Sequence, residues 1–263
     1  ALMDAYNADG GIAGHKIVPV NYKAPTGDVA ADVVNQERCV AYFEGSTAAQ
    51  VVVGTNNAIL NTCAKKANAV LFGRGFTGLD QASLDQYPGF VNPQAATFDT
   101  VARAMVDLAV KENVIASGTT VGVIYPGCDA QKAVYDNALK PALEAAGATI
   151  SAFEGTCIRS SADEGAAIAE LPNATLQWKT DGVEAVFNLS TGFIGVVLMM
   201  NEAEKQGFSP TWVLSTNNEF GAMSTMNPPA AQMANAIAVG WSAALDRSEE
   251  HTSELQSPYV ISY

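Results

Sequence analysis

The chain has 263 residues, with 14 Lys and Arg against 27 Asp and Glu, 48% apolar residues and 16% charged ones. Such a composition excludes a disordered chain, and a net charge of −13 excludes a nucleic-acid partner, because phosphate recognition rests on clustered Lys and Arg. No apolar run approaches the roughly 18 residues of a membrane-spanning helix; the strongest candidate, residues 192–200, runs into Asn201-Glu202-Ala203-Glu204-Lys205 and reads as a buried helix.

Residues 1–9 have helical composition and stop at Gly10-Gly11, a helix C-terminal signal. The sequence therefore opens inside an element, with no initiator Met and no secretory leader, and an opening strand is expected to be missing ahead of it. Runs rich in Val and Ile at residues 16–22, 50–54, 69–72, 119–125, 148–153, 182–189 and 211–215 have the near-continuous apolar character of strands covered on both faces. Helices are predicted between them. Over residues 27–44, Val29, Val33, Val40 and Phe43 oppose Asp28, Asp32, Gln36 and Glu37; over 97–113, Val101, Met105, Leu108 and Ala109 share a side. Further helices are predicted up to Lys66, over 129–146, over 161–180 with a break at Pro172, and over 191–206. Alternation of this kind implies parallel βαβ units and a doubly wound α/β fold, with ligands at the carboxyl ends of the strands.

Residues 73–96 interrupt the rhythm with four glycines and two prolines. Residues 91–96 read as a crossing between two lobes, so that 1–96 form an N-terminal lobe and 97–240 a second one. A last strand is expected at 237–242, and residues 241–246 as a return crossover. From Arg247 to Ser257 the sequence resembles a translated sequencing adapter, and residues 247–263 are expected to be a non-native tail. Setting that tail aside removes one Arg and three Glu, leaving 14 − 1 = 13 basic and 27 − 3 = 24 acidic residues, a net −11. It also leaves His15 as the sole histidine, which weakens any reading as an acid–base or zinc enzyme.

Asn7-Ala8-Asp9-Gly10-Gly11-Ile12-Ala13-Gly14-His15-Lys16-Ile17 resembles the N-x-x-GG-I-x-G-x-x-I stretch after the first helix of type I periplasmic solute-binding proteins of the branched-chain amino-acid ABC transporter family. In physical terms Gly10-Gly11 end the helix, Gly14 makes the next turn, and Ile12 and Ile17 are expected to enter the core. Val51-Val52-Val53-Gly54 with Thr55-Asn56-Asn57 looks like the family's first-lobe ligand loop, and residues 121–125 and 139–148 resemble the start of its second lobe. The resemblance covers nearly all of residues 1–246. It implies two flavodoxin-like lobes with parallel sheets, the first incomplete, that close on a small ligand and hand it to a membrane permease. It further implies a monomeric, extracytoplasmic protein, periplasmic or lipid-anchored at the cell surface, without a cofactor. Cys39 and Cys63 fall in the first lobe and Cys128 and Cys157 in the second, with no Cys-x-x-Cys motif; one bridge inside each lobe is the simplest pairing, and buried free thiols are the other reading.

Candidate ligand residues follow from strand ends and from the resemblance. Thr55, Asn56 and Asn57 start a helix whose free N–H groups suit a carboxylate, ordinary N-capping being the competing reading. Gly75, Phe76 and Thr77 lie in a loop that, in the resembled family, offers backbone groups and a hydroxyl. Tyr125 ends a strand and could wall a ligand or pack against its own loop. Ser190 and Thr191 cap a helix in a loop that faces the ligand in the family, and Asn217, Asn218 and Glu219 follow the 211–215 strand, with Glu219 able to pair with an ammonium, a solvated loop acid being the competing reading. Phe193, Trp178, Trp212 and Trp241 read as core or surface aromatics. Where branched-chain binders carry a serine-rich first-lobe loop, this sequence has Thr-Asn-Asn, which leaves the ligand open among amino acids and similar small polar solutes.

Gly73-Arg74-Gly75-Phe76-Thr77-Gly78 matches the dinucleotide fingerprint G-x-G-x-x-G, but residues 78–88 are too short and turn-rich for the helix that must receive the pyrophosphate. Neither a Gly-x-Ser-x-Gly elbow nor a P-loop lysine occurs. A binding receptor is therefore expected rather than an enzyme, with a sensory domain of the same fold as the alternative.

Overall fold

The computed structural model describes residues 2–23, 25, 29–44, 49–54, 57–73, 80–92, 96–158, 161–190, 192–219, 223–240 and 261–262. Its strands fall into two separate sheets.

Helix α1 (Leu2–Ala8) ends on Gly10 and Gly11, both at positive φ. At Gly11 a side chain is impossible, since a Cβ would sit 2.0 Å from the His15 carbonyl oxygen. The turn closes through paired backbone bonds between Ile12 and His15. Asn7 then pins the chain that leaves it: its Nδ2 donates to the Ile17 carbonyl at 2.8 Å and its Oδ1 accepts from the Ile17 N–H at 2.7 Å. The Asn and the glycines of the motif thus share one job, reversing the chain after α1. Two expectations fail here. Residues 16–22 are irregular rather than a strand, and Ile12 is exposed rather than in a core. Among the described residues no strand lies alongside this segment, and an unpaired strand has no ladder to hold it.

The first sheet holds β1 (Val51–Gly54), β2 (Val70–Gly73) and β3 (Phe90–Val91), all parallel. Helix α2 (Ala31–Cys39), prolonged by a π-helical turn at Val40–Glu44, occupies most of the predicted 27–44 helix. Helices α3 (Ala58–Lys66) and α4 (Gln81–Gln86) connect the strands. Strand β3 and helix α4 escape sequence reading because two and six residues are too few to display a period. Strand alternation sends Val52, Leu71 and Phe90 into a small core with Cys39, Leu60 and Ala64. The alternate residues Val51, Val53, Phe72 and Val91 are exposed.

The second sheet runs in the order β5-β4-β6-β7-β8-β9, with β4 (Thr120–Pro126), β5 (Thr149–Gly155), β6 (Ala185–Asn188), β7 (Thr211–Ser215) and β8 (Ala236–Val239) parallel. The edge strand β9 (Ile261–Ser262) pairs antiparallel with β8 and comes from the segment set apart above as a tail. Helices α5 (Phe98–Lys111), α6 (Asp129–Val134) and α7 (Lys140–Ala145), the last two joined by a π-helical turn at Tyr135–Leu139, cover one face. Helices α8 (Ser161–Thr180) and α9 (Ile194–Gln206) cover the other, and a short α10 (Ala230–Ala234) precedes β8. Along β4, Val121, Val123 and Tyr125 face α5 to α7, whereas Ile124 faces α8 and α9. Gly122 leaves room for Trp178: a Cβ there would sit 3.0 Å from the indole, whose Nε1 donates to the Ser151 carbonyl at 3.0 Å.

Pro172 does not break α8, contrary to the sequence expectation. A proline removes one helical donor and strands the carbonyl four residues back, here that of Ile168, an exposed residue. The Gln206 amide also braces this turn by donating to the Pro172 carbonyl at 3.1 Å. Two disulfides are formed, Cys39–Cys63 between α2 and α3 and Cys128–Cys157 between the loops after β4 and β5. No helix among the described residues is long and apolar enough to cross a membrane.

Candidate functional site

In the second sheet the chain passes from β4 to β5 on one side and then to β6 on the other. Helices after strands on opposite sides of such a switch point diverge, so the carboxyl ends of β4 and β6 must open into a crevice. A recess of about 360 Å³ lies there, bounded by the ends of β4 and β5, the first half of α8 and the start of α9. Its walls are chiefly apolar: Phe153, Ile158, Ile168, Phe193, Ile194 and Met199 line it. Three of these, Ile158, Ile168 and Ile194, are about half exposed, at 51%, 47% and 53%.

The polar rim comes from two loops tied together. Asn188 ends β6 and its Oδ1 accepts from both the backbone N–H and the hydroxyl of Ser190. Asn218, fully buried, donates to the Ser190 carbonyl at 2.8 Å while its Oδ1 accepts from the Ser215 N–H at 2.9 Å. Its amide is thereby committed to holding the β6 loop against the turn Thr216–Asn218, behind the recess rather than in it. Glu219 follows that turn in the left-handed region at φ 49° and lines the recess. A non-glycine residue held there marks a position over-determined by its surroundings. Asn217 points to the opposite side, where with Asn188, Ser190 and Ser215 it lines a gap of about 10 Å³, the size of one water. In that gap the Asn188 Nδ2 and the Asn217 Oδ1, both buried, have no hydrogen-bond partner among the described residues.

Tyr125 takes the packing role. Its ring stacks on Tyr135 with centroids 4.4 Å apart, and its hydroxyl donates to Glu154 Oε2 at 3.2 Å, which also accepts from Lys132 Nζ at 3.1 Å. Burial, reinforced by the Glu154 charge, pushes the Tyr125 hydroxyl above its ordinary pKa, and burial does the same to Tyr135. Asn57 caps α3, its Oδ1 accepting from the Leu60 N–H at 2.8 Å while its buried Nδ2 has no partner among the described residues. Thr55, Asn56, Gly75, Phe76, Thr77, Thr191 and Trp241 lie outside the described residues, as does most of the G-x-G-x-x-G stretch.

The structure therefore gathers Ser190 and Glu219 at one recess, with Tyr125 at its rim. Sequence reasoning missed its apolar walls. Phe193, read as a core or surface aromatic, packs against the core beneath α8 and α9 and also borders the recess. Ile168 carries a signal in retrospect, since it extends the Leu171, Ala174 and Trp178 stripe of α8 one turn beyond the buried part.

No protein-family model matches the sequence, and no curated protein matches it either. Solved structures do match. An ABC transporter substrate-binding protein of Desulfitobacterium hafniense, in complex with Leu, superposes with TM-score 0.61 at 14% identity, over 96% of this chain and 67% of that one. An extracellular ligand-binding receptor of Verminephrobacter eiseniae gives TM-score 0.65 at 12% identity, over 98% and 72%. A fatty acid ABC transporter substrate-binding protein of Thermomonospora curvata gives TM-score 0.62 at 14% identity, over 92% and 57%. The fold is that of the type I periplasmic binding proteins. The chain spans between 57% and 72% of the length of these three neighbours. In the type I periplasmic-binding-protein fold the recess sits where strand topology puts ligands, at the carboxyl ends of the strands beside the switch point.

Proposed function

We propose that this protein is the solute-binding receptor of an ABC importer, capturing a small molecule at the carboxyl ends of its strands and delivering it to a membrane permease. The observation that carries the reading is the apolar recess at the β4/β6 switch point, rimmed by Ser190 and Glu219, in a fold whose solved neighbours include proteins named as ABC transporter substrate-binding proteins. Residues 1–96 would form one lobe and 97–240 the other, closing on the solute by a hinge at the crossing segments. Thr55, Asn56, Asn57, Gly75, Phe76 and Thr77 supply the first lobe's share, and Ser190, Thr191 and Glu219 the second's, with Asn217 and Asn218 as support behind the recess. Function lies in binding rather than turnover, outside the cytoplasm, where the two disulfides persist.

The test is thermal unfolding against a panel of amino acids, amines, carboxylates, amides and sugars. A solute at about a hundred times its Kd adds roughly 2.7 kcal/mol, which for a protein of this size raises Tm by roughly 5–10 °C. Chemical turnover of a panel member without any Tm shift would overturn the proposal.

A further inference from the structure

Glu170, on α8, lines the recess, yet its carboxylate is committed to a neighbouring loop. Its Oε2 accepts from the Thr156 N–H at 2.8 Å and its Oε1 from the Thr156 hydroxyl at 2.6 Å, so one side chain takes both donors of a residue in the loop after β5. Hydrogen bonds to an ionised acceptor are roughly twice as strong as neutral ones.

That loop, residues 155–158, is fixed by ties rather than by burial. Strand β5 lies at the edge of its sheet, with a partner strand on one side only. Gly155, Thr156 and Cys157 are partly exposed, and Ile158 is about half exposed. Towards β4 the ties are the Cys128–Cys157 disulfide and the Gly127 N–H, which donates to the Gly155 carbonyl at 2.7 Å. The two loops approach so closely that a Cβ on Gly127 would sit 2.9 Å from the Glu154 carboxylate and 3.1 Å from the Gly155 carbonyl oxygen. The loop is thus held from β4 on one side and from α8 on the other, and its Gly155, Thr156 and Ile158 form the stretch of recess wall in between.

We infer that Glu170 is a positioning residue of the recess: through Thr156 it fastens the loop to α8, the Cys128–Cys157 disulfide fastens the same loop to β4, and the two anchors together set the shape of the wall that a solute meets. The inference rests on the receptor reading above and adds to it the residues that hold its site in form. The competing role for Glu170 is that of an ordinary lining acid, and the two roles differ in sign for a neutral apolar ligand. A carboxylate covered by such a ligand loses water at a cost, so deleting a lining acid tightens binding, whereas deleting an anchor loosens it.

The probe is the neutral dye N-phenyl-1-naphthylamine, titrated into the full chain by fluorescence, and the binding counted is the part that Ile168→Asp, at an exposed helical position, abolishes. Glu170→Ala should weaken it roughly fivefold or more, the effect of one lost hydrogen bond, and should speed hydrogen exchange at the Thr156 N–H. Glu170→Gln keeps an acceptor for that N–H and a donor for the hydroxyl oxygen, and should stay within about twofold of the original affinity. Changing Cys128 and Cys157 together to Ser should weaken the dye as Glu170→Ala does. Unchanged or tighter binding in Glu170→Ala overturns the proposal, as does a loss in Glu170→Gln as large as that in Glu170→Ala; unchanged binding without the bridge overturns the second anchor. If no Ile168-dependent binding is found while a solute of the panel raises Tm, the positioning role falls and the receptor stands; if no panel solute acts either, both fall.

Discussion

Val53 and Val186 are the same side chain in the same kind of element, a parallel strand, yet Val53 is 69% exposed and Val186 is fully buried. The difference lies in what the surrounding chain supplies. In the second sheet α5 to α7 cover one face and α8 with α9 the other, so the central strands β4, β6 and β7 are buried along most of their length on both faces. In the first sheet α2 and α3 build a core around Val52, Leu71 and Phe90, and the residues that alternate with them face no apolar partner among the described residues. Parallel sheets are ordinarily buried on both sides. The second sheet therefore draws its stability from packing, whereas the first leans on fewer contacts and on its covalent tie.

The hardest test of that contrast is Trp178→Ala. The indole is fully buried against Gly122 and donates a hydrogen bond to Ser151. Removing it should cost about 3–5 kcal/mol, the range for large-to-small changes at fully packed sites, seen as a lower urea midpoint for the second sheet. Val53→Ala should stay within about 0.5 kcal/mol, as exposed substitutions do. A large loss at Val53 would mean that its face is covered in solution, and the contrast would disappear.

The disulfides probe the same difference. The bridges span separations of 24 and 29 residues, so loop closure assigns each roughly 3.5 kcal/mol in the unfolded-state model. Their structural consequences should nevertheless differ. With Cys39 and Cys63 both changed to Ser, hydrogen exchange of β1 to β3 should approach the unfolded rate, because a six-residue core cannot absorb the loss. With Cys128 and Cys157 changed, β4 to β8 should stay protected, and only the loops after β4 and β5 should exchange faster. Protection of β1 to β3 in the first variant would show that the small core suffices.

The same asymmetry explains what was legible in the sequence. Each of the five parallel strands of the second sheet overlaps a segment read as a strand in the sequence, and the central ones stand out because burial on both faces demands continuous hydrophobicity. Residues 16–22 have that composition too and form no strand, since pairing depends on a partner that composition does not report. At the site, strand ends and cap residues identified Ser190 and Glu219 as candidates. The roles of Tyr125 and Asn218 could not be read that way. Whether a tyrosine faces a ligand or a second tyrosine, and whether an amide is free or spent, depend on contacts between residues such as Tyr125 and Glu154 that are 29 positions apart.

The gentlest test uses the tyrosines. Tyr125 and Tyr135 lose solvent in the second sheet, and burial is the first cause of their raised pKa values. Tyr22, beside α2, is raised chiefly because its exposed hydroxyl donates to Glu37 at 2.7 Å. A phenol whose native pKa exceeds its unfolded value of about 10 contributes stability that is complete below that pH and is lost as pH rises through the native value. Alkaline titration followed by tyrosinate absorbance should therefore find two groups ionising late and together with loss of second-sheet structure. Tyr125→Phe should reduce the steepness of that loss, while Tyr22→Phe should leave it unchanged, because a surface hydrogen bond to a carboxylate is readily replaced by water. If Tyr22→Phe shifted the alkaline midpoint as much as Tyr125→Phe, burial would not be what distinguishes the two regions.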